Sequence, residues 1–231
     1  MNESVSVVLE TVEHETGPSP EWSVLWLHGL GADGNDFAPI VPELLVRDGS
    51  RRGWPALRFV FPHAPVRAVT INGGARMRAW YDILEMNLAN RADEAGVDAS
   101  VRQVEALIAR EEARGIPASR ILLAGFSQGG AVALACALRR TTPLGGVIAL
   151  STYLPMPQRL VAETTAAART QPVFMAHGRF DPVVPCAGGE ASARQLAALG
   201  LPVDWHVYSM AHQVCGEEFA DLAAWMTQRL A

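Results

Sequence analysis

The feature that most constrains the fold is an apolar segment that runs directly into a serine flanked by glycines. Residues 121–125 form a continuous apolar run, which is typical of a parallel strand that is covered on both faces. The run continues into Gly125-Phe-Ser-Gln-Gly129, and a segment of small residues, 131–140, is predicted to be a helix. A strand, a sharp turn and a helix in immediate succession predict a βα unit with Ser127 at the turn.

The rest of the chain alternates between short strand-like segments and longer helical ones. Predicted strands are 23–27, 57–61, 146–150, 172–177 and 203–208, and predicted helices are 36–46, 98–115, 191–199 and 217–230. Asp98 and Ser100 are expected to cap the second helix, and residues 5–13 are expected to add an antiparallel edge strand. This alternation predicts an α/β fold with a mostly parallel sheet and helices on both faces. No repeat or linker divides the chain, so residues 1–231 are expected to form one domain.

Charge and composition exclude several classes of protein. The 231 residues carry a formal net charge of -5 without a basic run, so no nucleic-acid partner is expected. No apolar run approaches the roughly 18–20 residues that span a bilayer, and no signal peptide is recognisable, so a cytoplasmic location is expected. Cys136, Cys186 and Cys215 lack the spacing of metal ligands, and reduced thiols without a metal or cofactor are expected.

The glycines around Ser127 suggest a nucleophile rather than an ordinary glycine-rich turn. A serine on a strained turn between strand and helix exposes its Oγ, and the close packing of the turn leaves no room for side chains two residues away on either side. The helix that follows directs backbone N–H groups and the positive end of its dipole at the same place. Ser127 is therefore predicted to be a catalytic nucleophile.

An acid and a base follow Ser127 in the order that such a fold requires, each on a loop after a later strand. Asp181 follows the strand 172–177, and His212 follows the strand 203–208. Alone, either residue would be interpreted as an ordinary turn aspartate or surface histidine. Their order predicts that His212 accepts the proton of Ser127 and that Asp181 orients the imidazole.

A glycine-rich loop after the first buried strand predicts the site that stabilises the oxyanion. The loop contains His28-Gly-Leu-Gly31, and the backbone N–H groups of Leu30 and Gln128 are the expected donors. Each such donor typically contributes about 3–4 kcal/mol to the transition state. A phosphate-binding loop of the P-loop type is rejected, because the Gly-Lys-Ser/Thr sequence is missing.

Two further segments are predicted to border a substrate pocket. Residues 72–82 join a flexible turn to apolar bulk, and residues 154–156 follow the strand 146–150. Trp80, Leu154 and Met156 are the residues predicted to line the pocket, with ordinary core packing as the alternative.

Taken together, these segments resemble the small bacterial carboxylesterases of the phospholipase/carboxylesterase family, which includes acyl-protein thioesterases. The matching segments are HGLGADG at 28–34, PVRAVTINGG at 65–74, RAWYD at 78–82, AGFSQGG at 124–130, GGVIALSTY at 145–153, HG at 177–178 with Asp181, and MAH at 210–212. The resemblance implies an α/β-hydrolase fold without a large cap domain or cofactor. It also implies the triad Ser127, Asp181 and His212, with Leu30 and Gln128 as oxyanion donors.

The resemblance leaves the substrate open. Hydrolysis of short- to medium-chain carboxylic esters is the first expectation, and an acyl-protein thioesterase or lysophospholipase with the same triad is the alternative. A hydrolase fold kept as a non-catalytic binding module is disfavoured by the complete triad. Ala211 stands where the family usually has glycine, and residues 83–96, which match the family less closely, are expected to form a loop at the pocket edge. A homodimer is expected by analogy only.

Overall fold

A seven-stranded sheet forms the centre of the molecule in the computed structural model, which describes residues 9–47, 50–85 and 93–230. The strands are β1 Thr11–Glu15, β2 Trp22–Leu27, β3 Val46–Arg47, β4 Ser50–Arg51, β5 Leu57–Pro62, β6 Val66–Val69, β7 Ala75–Arg78, β8 Ile121–Phe126, β9 Gly146–Leu150, β10 Val173–Gly178 and β11 Val203–Tyr208. The helices are α1 Ile40–Leu44, α2 Glu94–Ala113, α3 Gln128–Arg139, α4 Pro157–Glu163, α5 Cys186–Ala198 and α6 Gly216–Arg229.

The strand order in the sheet is β1-β5-β2-β8-β9-β10-β11, and only β1 runs antiparallel to its neighbour. Alternate residues of each strand enter two separate cores. On one face, α2, α3 and α5 pack against side chains such as Leu25 and Leu123. On the other face, α1 and α6 pack against side chains such as Val24 and Leu122. The predicted α/β fold, with a mostly parallel sheet covered on both faces, is therefore confirmed.

The first helix is shorter than predicted, because local turns replace its ends. The prediction covered 36–46, whereas α1 spans only Ile40–Leu44. Pro39 occupies the N-cap position, and before it the N–H of Asp36 donates to the carbonyl of Asp33 in a turn. After the helix, Val46 pairs with Arg51 in the small β3–β4 ribbon. The shortened helix leaves Asp36 on the loop that borders the site described below.

The second helix begins earlier than predicted, and its cap is a different residue. Asp93 is the N-cap, and its side chain accepts the N–H of Gly96. Asp98 and Ser100 lie inside the helix, where Asp98 pairs with Arg139 and Arg159 while the Ser100 hydroxyl donates to the Trp80 carbonyl. Of the expected pocket-edge loop, residues 86–92 lie outside the described residues, as do residues 5–8 of the expected edge strand.

Candidate active site

Ser127 lies on the strained turn that its flanking glycines predict. Its backbone angles are φ 52° and ψ −120°, a left-handed conformation that is uncommon for a residue with a Cβ. Two hydrogen bonds connect this turn to the end of β9 and the residues after it. The Ser127 N–H donates to Leu150 O at 2.9 Å, and Thr152 Oγ1 donates to Ser127 O at 2.6 Å. The adjacent strand therefore stabilises a backbone conformation that would be unfavourable on its own.

The flanking glycines are required because backbone atoms occupy the space of their missing side chains. A Cβ on Gly125 would lie 2.4 Å from the carbonyl group of Gly129, and a Cβ on Gly129 would lie 2.4 Å from Leu27 O and 2.6 Å from His28 O. These contacts bring the start of α3 against the end of β2. The glycines thereby join the serine turn to the loop that begins at His28.

Replacing Gly129 by alanine should therefore destabilise the fold. We expect Gly129→Ala to lower the free energy of unfolding by about 2–3 kcal/mol or more, since the clashing atoms belong to the backbone and cannot rotate away. Gly188 in α5 is the matched control, because nothing lies within 4 Å of a Cβ at that position. Gly188→Ala should raise stability by about 0.5–1 kcal/mol. Urea unfolding of both variants measures the difference, and equal midpoints would contradict the packing argument.

The structure brings the three predicted catalytic side chains into one hydrogen-bonded row. His212 Nε2 lies 2.9 Å from Ser127 Oγ, and His212 Nδ1 lies 2.7 Å from Asp181 Oδ2. The imidazole also packs on the ring of Phe126, with a centroid distance of 4.9 Å. Since a carboxylate only accepts hydrogen bonds, Nδ1 carries the proton and Nε2 is free to accept the serine hydroxyl.

Backbone groups of its own loop fix the orientation of Asp181. The N–H groups of Val183 and Val184 both donate to Oδ1 at 2.8 Å, which leaves Oδ2 facing His212. Behind the carboxylate, His177 Nε2 lies 2.8 Å from Val184 O and 3.4 Å from Asp181 Oδ2. Burial lowers the pKa of His177, so His177 is a neutral donor to the loop at neutral pH.

The loop after β2 is held in place by His28 and Trp80. His28 Nδ1 lies 2.7 Å from Gly29 O, and His28 Nε2 accepts the N–H of Ala64 at 3.1 Å. Burial lowers the pKa of His28 to about 4, so the imidazole is neutral and donates through Nδ1. The indole N–H of Trp80 donates to His28 O at 2.9 Å. The hydrogen bonds to Gly29 O and His28 O fix two peptide groups of the loop, and the one from Ala64 ties the loop to the segment after β5.

The backbone N–H groups of Leu30 and Gln128 are available beside Ser127. Both residues line the same cavity as Ser127 and His212. Gln128 is the first residue of α3, so its N–H has no acceptor one helical turn earlier. Within the described ranges, neither N–H has a hydrogen-bond acceptor. The two predicted oxyanion donors are thus free, so other contacts must fix their positions.

The side chain of Gln128 provides part of that fixing. Its Oε1 accepts the N–H of Trp80 at 2.8 Å, and its Nε2 donates to Tyr81 O at 2.8 Å. The amide thus clamps the segment 80–81 against the serine turn. Sequence reasoning assigned a role only to the backbone of Gln128. The Gln in G-F-S-Q-G was the available signal, because a buried amide needs several partners.

The row of catalytic candidates opens into a cavity of about 470 Å³, a size typical of small-molecule sites. Its walls are largely apolar and aromatic. They include Leu30, Ile71, Tyr81, Ile83, Phe126, Tyr153, Val183 and Val184.

The three predicted pocket residues lie behind the cavity wall, so this part of the sequence prediction needs correction. Trp80, Leu154 and Met156 are all buried and are absent from the cavity lining. Their neighbours Tyr81 and Tyr153 line it instead. Trp80 turns away because its indole N–H binds His28 O, and the N–H of Leu154 is bound by Ser192 Oγ.

A two-stranded hairpin, β6–β7, borders the cavity through its connecting turn, where Ile71 and Asn72 lie in the wall. Asp82 attaches it to the body, because its carboxylate accepts the N–H of Thr70 at 2.7 Å and also the Thr70 hydroxyl. The N–H of Ile71 donates to Ile83 O at 2.9 Å, which places both isoleucines side by side on the wall. Sequence reasoning predicted a flexible turn here and missed the hairpin.

Comparison with known proteins places this arrangement in a family. The family model described as phospholipase/carboxylesterase matches residues 10–229. The chain belongs to this family. Acyl-protein thioesterase 1 of Mycosarcoma maydis is 36% identical over 235 residues, covering 95% of this chain and 96% of the relative. The crystal structure of Arabidopsis thaliana SOBER1 has a TM-score of 0.83 at 31% identity, covering 91% and 99% of the two chains. Esterase PE8 has a TM-score of 0.82 at 27% identity, covering 97% and 100%.

Family membership confirms the α/β-hydrolase fold and makes the chain a serine hydrolase of the carboxylic-ester type. Two of the relatives named above come from eukaryotes, so the expected restriction to bacterial members of the family is not supported. None of the helices in the described ranges is long and apolar enough to cross a membrane. In the same ranges, no group of three or more His, Cys, Asp or Glu side chains is placed to hold a metal ion.

Proposed function

We propose that this phospholipase/carboxylesterase family member hydrolyses acyl thioesters of proteins through a covalent acyl intermediate on Ser127. The observation that carries the proposal is the hydrogen-bonded row from Asp181 through His212 to Ser127, which opens into the apolar cavity. The choice of thioesters is supported by the relatives, several of which are named acyl-protein thioesterase 1. The cavity would hold the acyl chain while the protein part remains outside.

In the first half of the reaction, Ser127 Oγ attacks the acyl carbonyl carbon and its proton passes to His212 Nε2. Asp181 stabilises the resulting imidazolium through the Nδ1–H hydrogen bond. The carbonyl oxygen becomes an oxyanion, to which the N–H groups of Leu30 and Gln128 donate. When the tetrahedral intermediate collapses, the thiol leaves with the proton from His212, and the acyl group stays on Ser127.

In the second half, water takes the place of the leaving group. His212 accepts a proton from that water as it attacks the acyl-serine carbonyl, and the same two backbone donors stabilise the second oxyanion. Collapse releases the fatty acid and returns the proton to Ser127. Because thiols have a pKa near 8.5, a thiolate leaves more easily than an alkoxide. We therefore expect release of acyl-serine to limit thioester turnover more than ester turnover.

A carboxylesterase acting on short- to medium-chain esters is the second candidate. It is supported by the likeness to esterase PE8 and by the use of the same catalytic groups. A lysophospholipase would also use these groups. All three activities share the chemistry at Ser127, so they differ in the preferred acyl chain and leaving group.

Peptides that differ only in carrying the acyl group on cysteine or serine separate these candidates. We expect kcat/KM for the palmitoyl or octanoyl thioester peptide to exceed that of the matched ester at least tenfold, after correction for the uncatalysed rates. Lysophospholipid and p-nitrophenyl acetate, butyrate and octanoate complete the series. Preference for the short p-nitrophenyl esters would favour the carboxylesterase, and preference for lysophospholipid would favour the lysophospholipase. The Ser127→Ala variant measures the background in every assay.

Other predictions from the sequence concern the whole chain. We propose that residues 1–231 form a single domain, that the protein is cytoplasmic, and that it forms a homodimer. Size-exclusion chromatography with light scattering tests the last of these, and a monomer at micromolar concentration would contradict it.

A further inference from the structure

Two tyrosine hydroxyls meet at the wall of the otherwise apolar cavity. Tyr81 Oη and Tyr153 Oη lie 2.7 Å apart, and both residues line the cavity. Tyr81 is 1% exposed and Tyr153 is 8% exposed. Burial raises the pKa of Tyr81 well above its usual value and that of Tyr153 to about 12. Both hydroxyls therefore keep their protons at neutral pH.

One hydroxyl hydrogen of this pair is not used in the hydrogen bond between the two tyrosines. Two hydroxyls carry two hydrogens, and the bond between them uses only one. In the described ranges, neither hydroxyl has a further protein partner. A buried donor without an acceptor costs free energy. The second hydrogen therefore has no acceptor among the described residues.

Both tyrosines are tied to the serine turn, from opposite sides. Tyr81 is held through its carbonyl by the side chain of Gln128, the residue after Ser127. Tyr153 directly follows Thr152, whose hydroxyl donates to Ser127 O. The hydroxyl pair thus belongs to the rigid frame of the catalytic serine, so its position relative to an acyl group on Ser127 is defined.

Other polar side chains of the cavity do not offer a comparable buried donor. Asp36 and Asn72 lie at the exposed rim, and a carboxylate of Asp36 only accepts hydrogen bonds. The amide of Gln128 is engaged with Trp80 and Tyr81. Apart from the catalytic groups and the backbone N–H donors, the tyrosine pair is the buried hydrogen-bond donor of the wall.

We propose that the Tyr81–Tyr153 pair selects acyl groups that carry an acceptor oxygen along the chain, such as a hydroxyl, ether or keto oxygen. The inference rests on the proposed function, because it assumes that the acyl group on Ser127 occupies the cavity. A plain alkyl chain offers the free hydroxyl hydrogen no acceptor, whereas an oxygen at the matching position provides one. The pair thereby sets substrate preference without taking part in bond cleavage.

The test compares esters that differ only by an oxygen in place of one methylene. The series is p-nitrophenyl hexanoate and its 3-oxa, 4-oxa and 5-oxa analogues, assayed with the native protein and with the Tyr81→Phe/Tyr153→Phe double variant. At one oxygen position, the ratio of kcat/KM for the oxa ester to that for hexanoate should fall about 3- to 10-fold in the double variant. The intrinsic reactivity of each ester cancels when the two ratios are compared, because both proteins are assayed with the same substrates.

The double variant is needed because a single substitution leaves one hydroxyl whose hydrogen is free for the substrate. Tyr208→Phe is the matched control, since Tyr208 Oη donates to Asp221 away from the cavity, and its ratios should equal those of the native protein. Ratios in the double variant that stay within twofold at every oxygen position would overturn the proposal. A different result would contradict the proposed function: turnover of p-nitrophenyl hexanoate by the Ser127→Ala variant would show that the acyl group is not carried by Ser127. Thermal unfolding checks that the double variant is folded.

Discussion

Replacing Ser127 by alanine should lower kcat/KM for ester and thioester substrates by about 10⁴- to 10⁶-fold. No other hydroxyl is hydrogen-bonded to His212 in the described ranges, so no group there can take over the attack. Binding of the acyl chain should change little, because the cavity wall is unaffected. Steady-state kinetics measures the loss, and a fluorophosphonate probe should label the native protein at Ser127 but not the variant.

The backbone at Ser127 offers a control that separates chemistry from folding. Alanine keeps a Cβ in the left-handed conformation at φ 52°, whereas glycine adopts that conformation without strain. Ser127→Gly should therefore be more stable than Ser127→Ala by about 1 kcal/mol while being equally inactive. If either variant retained more than about one per cent of native activity, with the protein shown free of contaminating esterase, Ser127 would not be the nucleophile.

Chain order was enough to predict that Ser127, Asp181 and His212 come together, because a parallel sheet brings the carboxyl ends of its strands to one edge. Ser127, Asp181 and His212 follow β8, β10 and β11, and the first two of these strands were recognisable from their apolar runs. The loops that follow these strands are then expected to lie at the same edge of the sheet. The glycines at 125 and 129 added a second signal, since close backbone packing leaves glycine as the only residue that fits.

The cavity wall was not predictable in the same way, because it is built from irregular segments. Residues 79–85 and 151–156 have no regular periodicity that assigns alternate side chains to opposite faces. Hydrogen bonds across the chain decide their directions instead: the indole N–H of Trp80 binds His28 O, and Ser192 binds the N–H of Leu154. The prediction therefore identified the correct segments but was off by one position at Trp80 and Leu154, where the neighbouring tyrosines face the cavity.

The same limit explains the first turn of α2. Asp98 and Ser100 have suitable side chains for a cap, but Asp93 also has a carboxylate and lies five residues before Asp98. Local preference does not distinguish among them. A tertiary contact selects Asp93 as the cap: its carboxylate also accepts the N–H of Asp82 at 2.9 Å and so joins the start of the helix to the cavity wall.

Replacing Asp181 by asparagine should lower kcat by about 10⁴-fold while leaving KM nearly unchanged. The geometry of the loop makes this change especially damaging. The N–H groups of Val183 and Val184 require an acceptor at the position of Oδ1, so the amide oxygen of the asparagine must take that place. Its NH₂ group then faces His212 Nδ1, which can no longer donate and becomes an acceptor. The imidazole proton moves to Nε2, and the nitrogen that should accept the Ser127 proton already carries one.

Asp204→Asn removes one carboxylate from the exposed face of β11 and is the matched control. We expect its kcat to stay within twofold of the native value, while Asp181→Asn remains folded in circular dichroism and retains the native melting temperature within a few degrees. Nuclear magnetic resonance of the imidazole nitrogens should show the proton on Nδ1 in the native protein and on Nε2 in Asp181→Asn. An inactive variant with the proton still on Nδ1 would mean that Asp181 acts through charge rather than through the tautomer of His212. Near-native kcat would remove Asp181 from the catalytic row altogether, because its contact with His212 would then be structural.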